Sequence, residues 1–192
     1  AGMPLAEAMA RCKDASLIQA DAPYYNNTFD KLIKALELRS PAVEKGGLGC
    51  AYVDLAGLEM MYGGEARVIV SLLQAAPAEF NPRIGVAGGK FPAYVAAATT
   101  KGGRATRVPR DSASMSDFLN GLSIGLLPLS WSNKTRLHRF GIHTLGQLSF
   151  LPEGAVQAQL GTEGRKAWLL ANGVDNSPLI PYRSQQVVEE SL

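Results

Sequence analysis

Phe29, Leu32, Ile33 and Leu36 recur on one helical face, which predicts a helix through FDKLIKALEL with Asn27 or Thr28 as its cap. Upstream, MPLAEAMARC (3–12) predicts a short helix. Gly46-Gly47 breaks the helical period, and LGCAYVDLA (48–56) reads as a buried strand. Gly63-Gly64 then opens a helix through EARVIVSLLQAA, Asn81-Pro82 turns the chain, and RIGVAG reads as a strand. FPAYVAAATTK predicts a further helix, with Pro92 tolerated in its first turn, and ATRVP a short strand after Gly102-Gly103. Residues 21–108 therefore alternate helix and strand. After Pro109 the texture is helical only: SMSDFLNGLSIG, NKTRLHRFG, TLGQLSFL, EGAVQAQL and EGRKAWLLANG are short segments separated by Gly, Pro or Ser. They predict a second, all-helical domain of about 70 residues, a size at which core burial is limited.

Charge refines this picture. The 192 residues carry a net charge of only +2, unevenly spread. Residues 80–152 hold nine Lys/Arg against Asp111 and Asp117, whereas residues 1–79 hold seven Lys/Arg against ten Asp/Glu. A basic middle in a near-neutral chain suggests a surface that faces a polyanion. No apolar run has the length of a membrane span and no signal peptide opens the chain. Because the first residue is Ala1, the chain reads as a piece of a longer protein. Cys12 and Cys50 lack the spacing of a zinc site and read as two separate, buried thiols in a reducing cytosol, with a disulfide between them as the alternative.

Several stretches taken together resemble a known family. Gly2-Met3-Pro4-Leu5-Ala6-Glu7-Ala8, Ala51-Tyr52-Val53-Asp54, Ile84-Gly85-Val86-Ala87 and Ala96-Ala97-Ala98 through Lys101 resemble, in order and spacing, the Y-family translesion DNA polymerases. The resemblance implies an α+β fold: a ferredoxin-like palm lacking its first strand, followed by an all-helical thumb with helix-hairpin-helix elements. It places the end of the fingers at 1–20, the palm at 21–108, the thumb at 109–179 and a linker or tail at 180–192. The family's absent first strand would lie centrally in the palm sheet. A strand from a second copy, the 180–192 tail, a rearranged sheet or upstream residues would have to fill that slot, with a homodimer or upstream residues favoured.

In active members the strand reads apolar residue, Asp, Glu, then Ala-Tyr-Leu-Asp. Here Gly49 and Cys50 stand at the Asp and Glu positions. The family's nucleotidyl transfer resembles a two-metal scheme, with Mg²⁺ ions about 4 Å apart. Mg²⁺ wants hard oxygen ligands; glycine offers none and a thiolate is too soft. Asp54 lies roughly 13–17 Å along an extended strand, and Glu59 and Glu65 lie further on. No catalytic residue and no metal ligand is therefore assigned, and no cofactor, with Mg²⁺ retained only for the alternative of an active polymerase.

This combination is similar to the ImuB-type branch, on Asp54-Leu55-Ala56-Gly57, Tyr62-Gly63-Gly64-Glu65 and Leu145-Gly146-Gln147-Leu148 before Leu151-Pro152. That branch implies a bacterial, cytoplasmic, nucleoid-associated protein of the SOS response to damaged DNA. It would bind DNA and recruit a sliding clamp, an error-prone C-family polymerase and an ImuA-type protein. An active translesion polymerase and a generic helix-hairpin-helix DNA-binding module are the alternatives.

The candidate DNA-binding residues are Arg83, Arg104, Arg107, Lys134, Arg136, Arg139, Arg165 and Lys166. Lys101 matches a family lysine near the incoming triphosphate, and equally suits a helix C-terminus. Where the family's first thumb hairpin has Gly-x-Gly, this chain has Leu127-Pro128-Leu129-Ser130-Trp131, in which proline removes one N–H donor. Gly161-Thr162-Glu163-Gly164-Arg165-Lys166 is the candidate second hairpin. Gly85 to Lys90 lacks the spacing of a phosphate loop. Gln147-Leu148-Ser149-Phe150-Leu151 resembles a clamp-binding peptide, but its leucines are spaced as helix core. His138 and His143, with Phe140-Gly141 between them, read as too far apart to pair.

Overall fold

The computed structural model describes residues 3–12 and 14–182. These fall into two compact units, one of residues 1–20, 84–101 and 105–177, the other of 21–83, 102–104 and 178–192. One unit boundary falls between residues 20 and 21; the others fall after residues 83, 101, 104 and 177, and none falls at 108. Most of the 180–192 tail lies outside the described residues.

The first helix, α1 (Leu5–Arg11), belongs to the first unit. The second unit opens with α2 (Ala22–Glu37), whose buried stripe is Phe29, Ile33 and Leu36. This helix starts earlier than Asn27 or Thr28, because Asp21 caps it by accepting a 3.0 Å bond from the Tyr24 N–H, with Pro23 in the first turn. An antiparallel hairpin of β1 (Val43–Gly47) and β2 (Cys50–Val53) follows, in the register Val43↔Val53 to Gly47↔Cys50. The sequence pattern missed β1, whose Gly46-Gly47 read as a break; the glycines instead sit beside a register irregularity at the hairpin tip.

Helices α3 (Leu58–Tyr62) and α4 (Glu65–Ala75) complete the second unit, burying Leu58, Val68 and Leu72. α2 packs on β1 and on α4. Lys45 Nζ ties β1 to α2 through Asp30 Oδ1 at 2.6 Å, and lies 3.9 Å over the Tyr182 ring. The Tyr182 N–H reaches the Val43 carbonyl at 2.6 Å and the Ile180 N–H reaches Glu44 Oε2 at 2.5 Å, so this part of the tail runs beside β1.

In the first unit, β3 (Ile84–Val86), α5 (Lys90–Thr99) and β4 (Ala105–Arg107) form a parallel β-α-β crossover in which Ile84 pairs with Ala105 and Val86 with Arg107. A Cβ at Gly85 would meet the Ala93 carbonyl at 1.9 Å and the Ala97 nitrogen at 2.5 Å, so the helix lies directly on the strand backbone. The described strands thus form two separate two-stranded sheets rather than one.

α6 (Ser112–Asn120), α7 (Trp131–Arg139), α8 (Leu145–Ser149) and α9 (Glu153–Ala171) follow, as the helical texture anticipates. The last two expected helices are joined in α9 across a non-helical Gly161. Phe91, Val95 and Val108 share one apolar cluster with Leu119, Ile124, Leu137, Leu145, Leu148 and Leu170. The crossover and the helices after it therefore have a common core. Cys12 is exposed, not buried as expected, because α1 buries no residue.

Asp175 pins this core from far along the chain. Its Oδ2 accepts the Phe91 N–H at 2.6 Å in the first turn of α5, and its Oδ1 accepts the Ser177 N–H at 3.1 Å. Burial pushes this carboxyl up, but the bonds from Ser177 and Phe91 and the charge of Lys90 outweigh it, leaving the group below its ordinary value. A depressed carboxyl stabilises the fold above its unfolded-state value and loses that contribution as pH falls through the folded one. Asp175→Ala should cost about 1–2 kcal/mol at neutral pH, as for loss of a helix cap. In urea melts the gap between wild type and variant should narrow as pH is lowered; a gap constant with pH would contradict the assignment.

Candidate nucleic-acid interface

The β1–β2 tip places the two degenerate positions. Gly49 sits in the two-residue turn with φ of 78°, and a Cβ there would meet nothing within 4 Å. A side chain at this position is thus opposed by left-handed backbone strain and not by a clash; Asp is among the residues that tolerate that region best. Cys50 opens β2 half-buried, and burial pushes its thiol up despite a hydrogen bond from Tyr52. A thiol held in its neutral form is a poorer metal ligand than the soft thiolate itself. Asp54 spends Oδ1 on the Ala56 N–H at 3.0 Å. Among the described residues no three His, Cys, Asp or Glu side chains converge as a metal site. The donors at this tip do not fit the Mg²⁺ that the fold family implies.

The candidate cations divide between the units. In the second, Arg83 and Arg104 are both exposed and follow residues joined by the Gly103 N–H to Pro82 carbonyl bond of 2.8 Å. In the first, Lys101 and Arg107 are exposed after α5 and on β4. Arg139 and Lys166 are exposed on α7 and α9. Internal partners already engage several of them: Lys134 Nζ donates to the Gly125 carbonyl at 2.8 Å, Arg136 to the Gln159 carbonyl at 2.5 Å, and Arg165 Nε to Glu153 Oε1 at 2.7 Å, and Arg83 and Arg107 are not free either.

The two candidate hairpins meet each other. Ser130 precedes α7 without capping it through its own side chain. Glu163, from the second hairpin, does so: it accepts the Ser130 N–H at 2.7 Å and the Ser130 hydroxyl at 2.8 Å, and also bonds the Asn133 amide. Partial burial pushes the Glu163 carboxyl up, but the Ser130 and Asn133 bonds and the Lys134 charge hold it below its ordinary value. Trp131 adds an indole N–H to Glu7 Oε2 at 3.2 Å. Gly164 is buried, its Cα side facing Leu160 and the Val156 carbonyl, so the second hairpin is a packed turn and not an open loop. Likewise, Asp175 at the head of α5 makes Gly85 to Lys90 hostile to phosphate, in line with its wrong motif spacing.

Gln147 accepts the Thr144 N–H at 3.1 Å in a capping box, and Leu148 is fully buried, which bears out the core reading of this segment. The expectation for His138 and His143 is overturned: their Nδ1 atoms lie 2.8 Å apart. The pairing arises because Gly141, at φ of 75°, reverses the chain at the end of α7. Sequence spacing alone does not reveal that reversal.

A profile of the impB/mucB/samB family matches residues 1–98. The chain belongs to this family, that of the Y-family DNA polymerases. It is 30% identical over 99% of its length to a protein named DNA polymerase IV from Dehalococcoides mccartyi, covering 49% of that relative. A DNA polymerase IV of Pelotomaculum thermopropionicum is 26% identical over 97% of this chain and 46% of its own. The chain thus spans about half the length of the curated relatives it matches. Among solved structures, DinB from Sulfolobus solfataricus superposes with a TM-score of 0.68 at 22% identity, over 93% of this chain and 53% of that one. The fold is the mixed α/β one of the Y-family N-terminal region.

In this Y-family chain the Glu163 cap is a tertiary contact between residues 30 positions apart. Glu163→Ala and Asn133→Ala should each destabilise the protein, and a double-mutant cycle by urea unfolding should give a coupling of about 0.5–3 kcal/mol. Strict additivity would deny the contact.

Proposed function

We propose that this chain is a non-catalytic Y-family scaffold that binds DNA and recruits other mutagenesis factors. Gly49 and Cys50 at the tip of the palm hairpin carry this reading, since neither offers a hard oxygen ligand. The ImuB-type sequence features quoted above support that branch. Its sliding clamp, C-family polymerase and ImuA-type protein are the partners expected of the longer protein, in a bacterial cytoplasm near the nucleoid. No helix of the described residues is long and apolar enough to cross a membrane.

Within this reading, residues 21–108 act as palm, 109–179 as thumb and 1–20 as the end of the fingers. Two separate two-stranded sheets support the idea that the palm awaits another strand, from upstream residues or from a second copy. Side chains rather than helix ends would contact phosphates, because Asp175 and Glu163 already neutralise the starts of α5 and α7. Arg83, Arg104, Arg107, Arg136, Arg139, Arg165 and Lys166 are the exposed cations for this role and Lys134 is half-buried; those with internal partners would exchange them for phosphates. Lys101 is the one residue offered to a nucleotide.

The second reading is an active polymerase, favoured by relatives named DNA polymerase IV. Primer extension separates the two. With Mg²⁺ or Mn²⁺ the chain should give no product above background, and Gly49→Asp with Cys50→Glu should not restore any in this chain. Template-dependent extension abolished by Asp54→Asn would establish the enzyme reading instead.

DNA binding itself should be weak, independent of sequence and salt-sensitive. With Z of roughly 2–4 phosphates neutralised, log K should fall with log salt at a slope near −0.9Z. Charge reversal of Arg104, Arg107 and Arg139 should weaken binding alike on unrelated sequences by fluorescence anisotropy. Unchanged binding would redirect the function to protein partners.

A further inference from the structure

The chain holds two histidines, and the fold brings both to one place. His138 lies in the last turn of α7. The helix ends in a left-handed Gly141 with the Gly141 N–H on the His138 carbonyl and the Ile142 N–H on the Leu137 carbonyl, each at 3.0 Å. That reversal carries His143 back over the helix end. The His143 backbone is then held from both sides: its N–H donates to Gln147 Oε1 at 2.7 Å, and its carbonyl accepts the Ile124 N–H at 3.0 Å. Gln147 is itself fixed by the α8 capping box, and Ile124 is fully buried. Two exposed imidazoles are therefore presented by a rigid frame, with Nδ1 atoms 2.8 Å apart and ring centroids 5.0 Å apart.

We propose that His138 and His143 form a bidentate site for a late first-row divalent cation, Cu²⁺ or Ni²⁺. Metal–imidazole bonds are about 2.0–2.1 Å long. Two of them at a right angle set their nitrogens about 2.8–3.0 Å apart, whereas a tetrahedral angle sets them about 3.3–3.4 Å apart. The present 2.8 Å is a hydrogen-bond spacing with the two Nδ1 atoms facing one another, and rotation of the exposed rings turns both toward one cation; Cu²⁺ and Ni²⁺ stand high in the divalent affinity order for such nitrogen ligands. At present one ring donates its Nδ1–H to the other. On metal entry that proton leaves Nδ1 and the ring takes its Nε2–H tautomer, so both Nδ1 lone pairs become available with no net proton released. Water completes the coordination. Arg136 and Arg139 share the same helical turn, and the Arg136 guanidinium is drawn to the Gln159 carbonyl, which lessens its opposition to a cation. The site is independent of the DNA reading.

Cu²⁺ added to the untagged chain, in a Cys12→Ser, Cys50→Ser background, should bind at one equivalent and give an electron paramagnetic resonance spectrum with two-nitrogen superhyperfine splitting. Calorimetry with Ni²⁺ should show His138→Gln and His143→Gln each weakening binding tenfold or more while circular dichroism stays unchanged. A one-nitrogen spectrum, or equal Ni²⁺ affinity in either variant and wild type, would overturn the site.

Discussion

The contact between α5 and the backbone of β3 sets the geometry of the first unit. Gly85 leaves no room for even one methyl group between strand and helix, and Ala93, Ala96 and Ala97 keep the helix face equally low. At that separation Phe91 and Val95 point into the same apolar cluster as Leu119, Leu137 and Leu148, so strand pair and helices share a core. Asp175 closes the arrangement by returning the chain to the head of α5. A larger residue at position 85 would push α5 off β3 and open the cluster from one side.

A second regularity is electrostatic. Asp21 caps α2, Asp111 caps α6, Asp175 sits at α5 and Glu163 at α7, so the chain's own carboxylates take up the helix starts. One backbone N–H at each of those ends is thereby satisfied internally. On the DNA-binding reading, a polyanion is then held chiefly by long cationic side chains, which reach phosphates without reading sequence.

Much of this was legible from local pattern. The buried stripe Phe29, Ile33 and Leu36, the strand at Ile84, the helix after Gly89 and the run of short helices follow from period and breakers. β1 escaped because Lys45-Gly46-Gly47 looks like a breaker, and only pairing with Cys50 to Val53 makes it a strand. The early start of α2 escaped because Asn27 and Thr28 are themselves good caps, outcompeted here by Asp21 with Pro23 behind it. At the site, Gly49 and Cys50 could be singled out in the sequence because a family pattern exposes what is missing. The Glu163 bridge and the histidine pair could not, since one joins residues 33 apart and the other depends on a single left-handed glycine.

The glycine-rich tip of the β1–β2 hairpin bears on its local stability. Gly46, Gly47 and Gly49 leave the connecting segment with a large conformational ensemble in the unfolded chain. Closing it gains few side-chain contacts, since Gly46 to Gly49 are exposed and Val43 alone of the paired residues is fully buried. The burial that holds the hairpin is therefore concentrated at its Val43–Val53 end, where α2 packs on β1, and the tip where Gly49 meets Cys50 is held by backbone pairing alone.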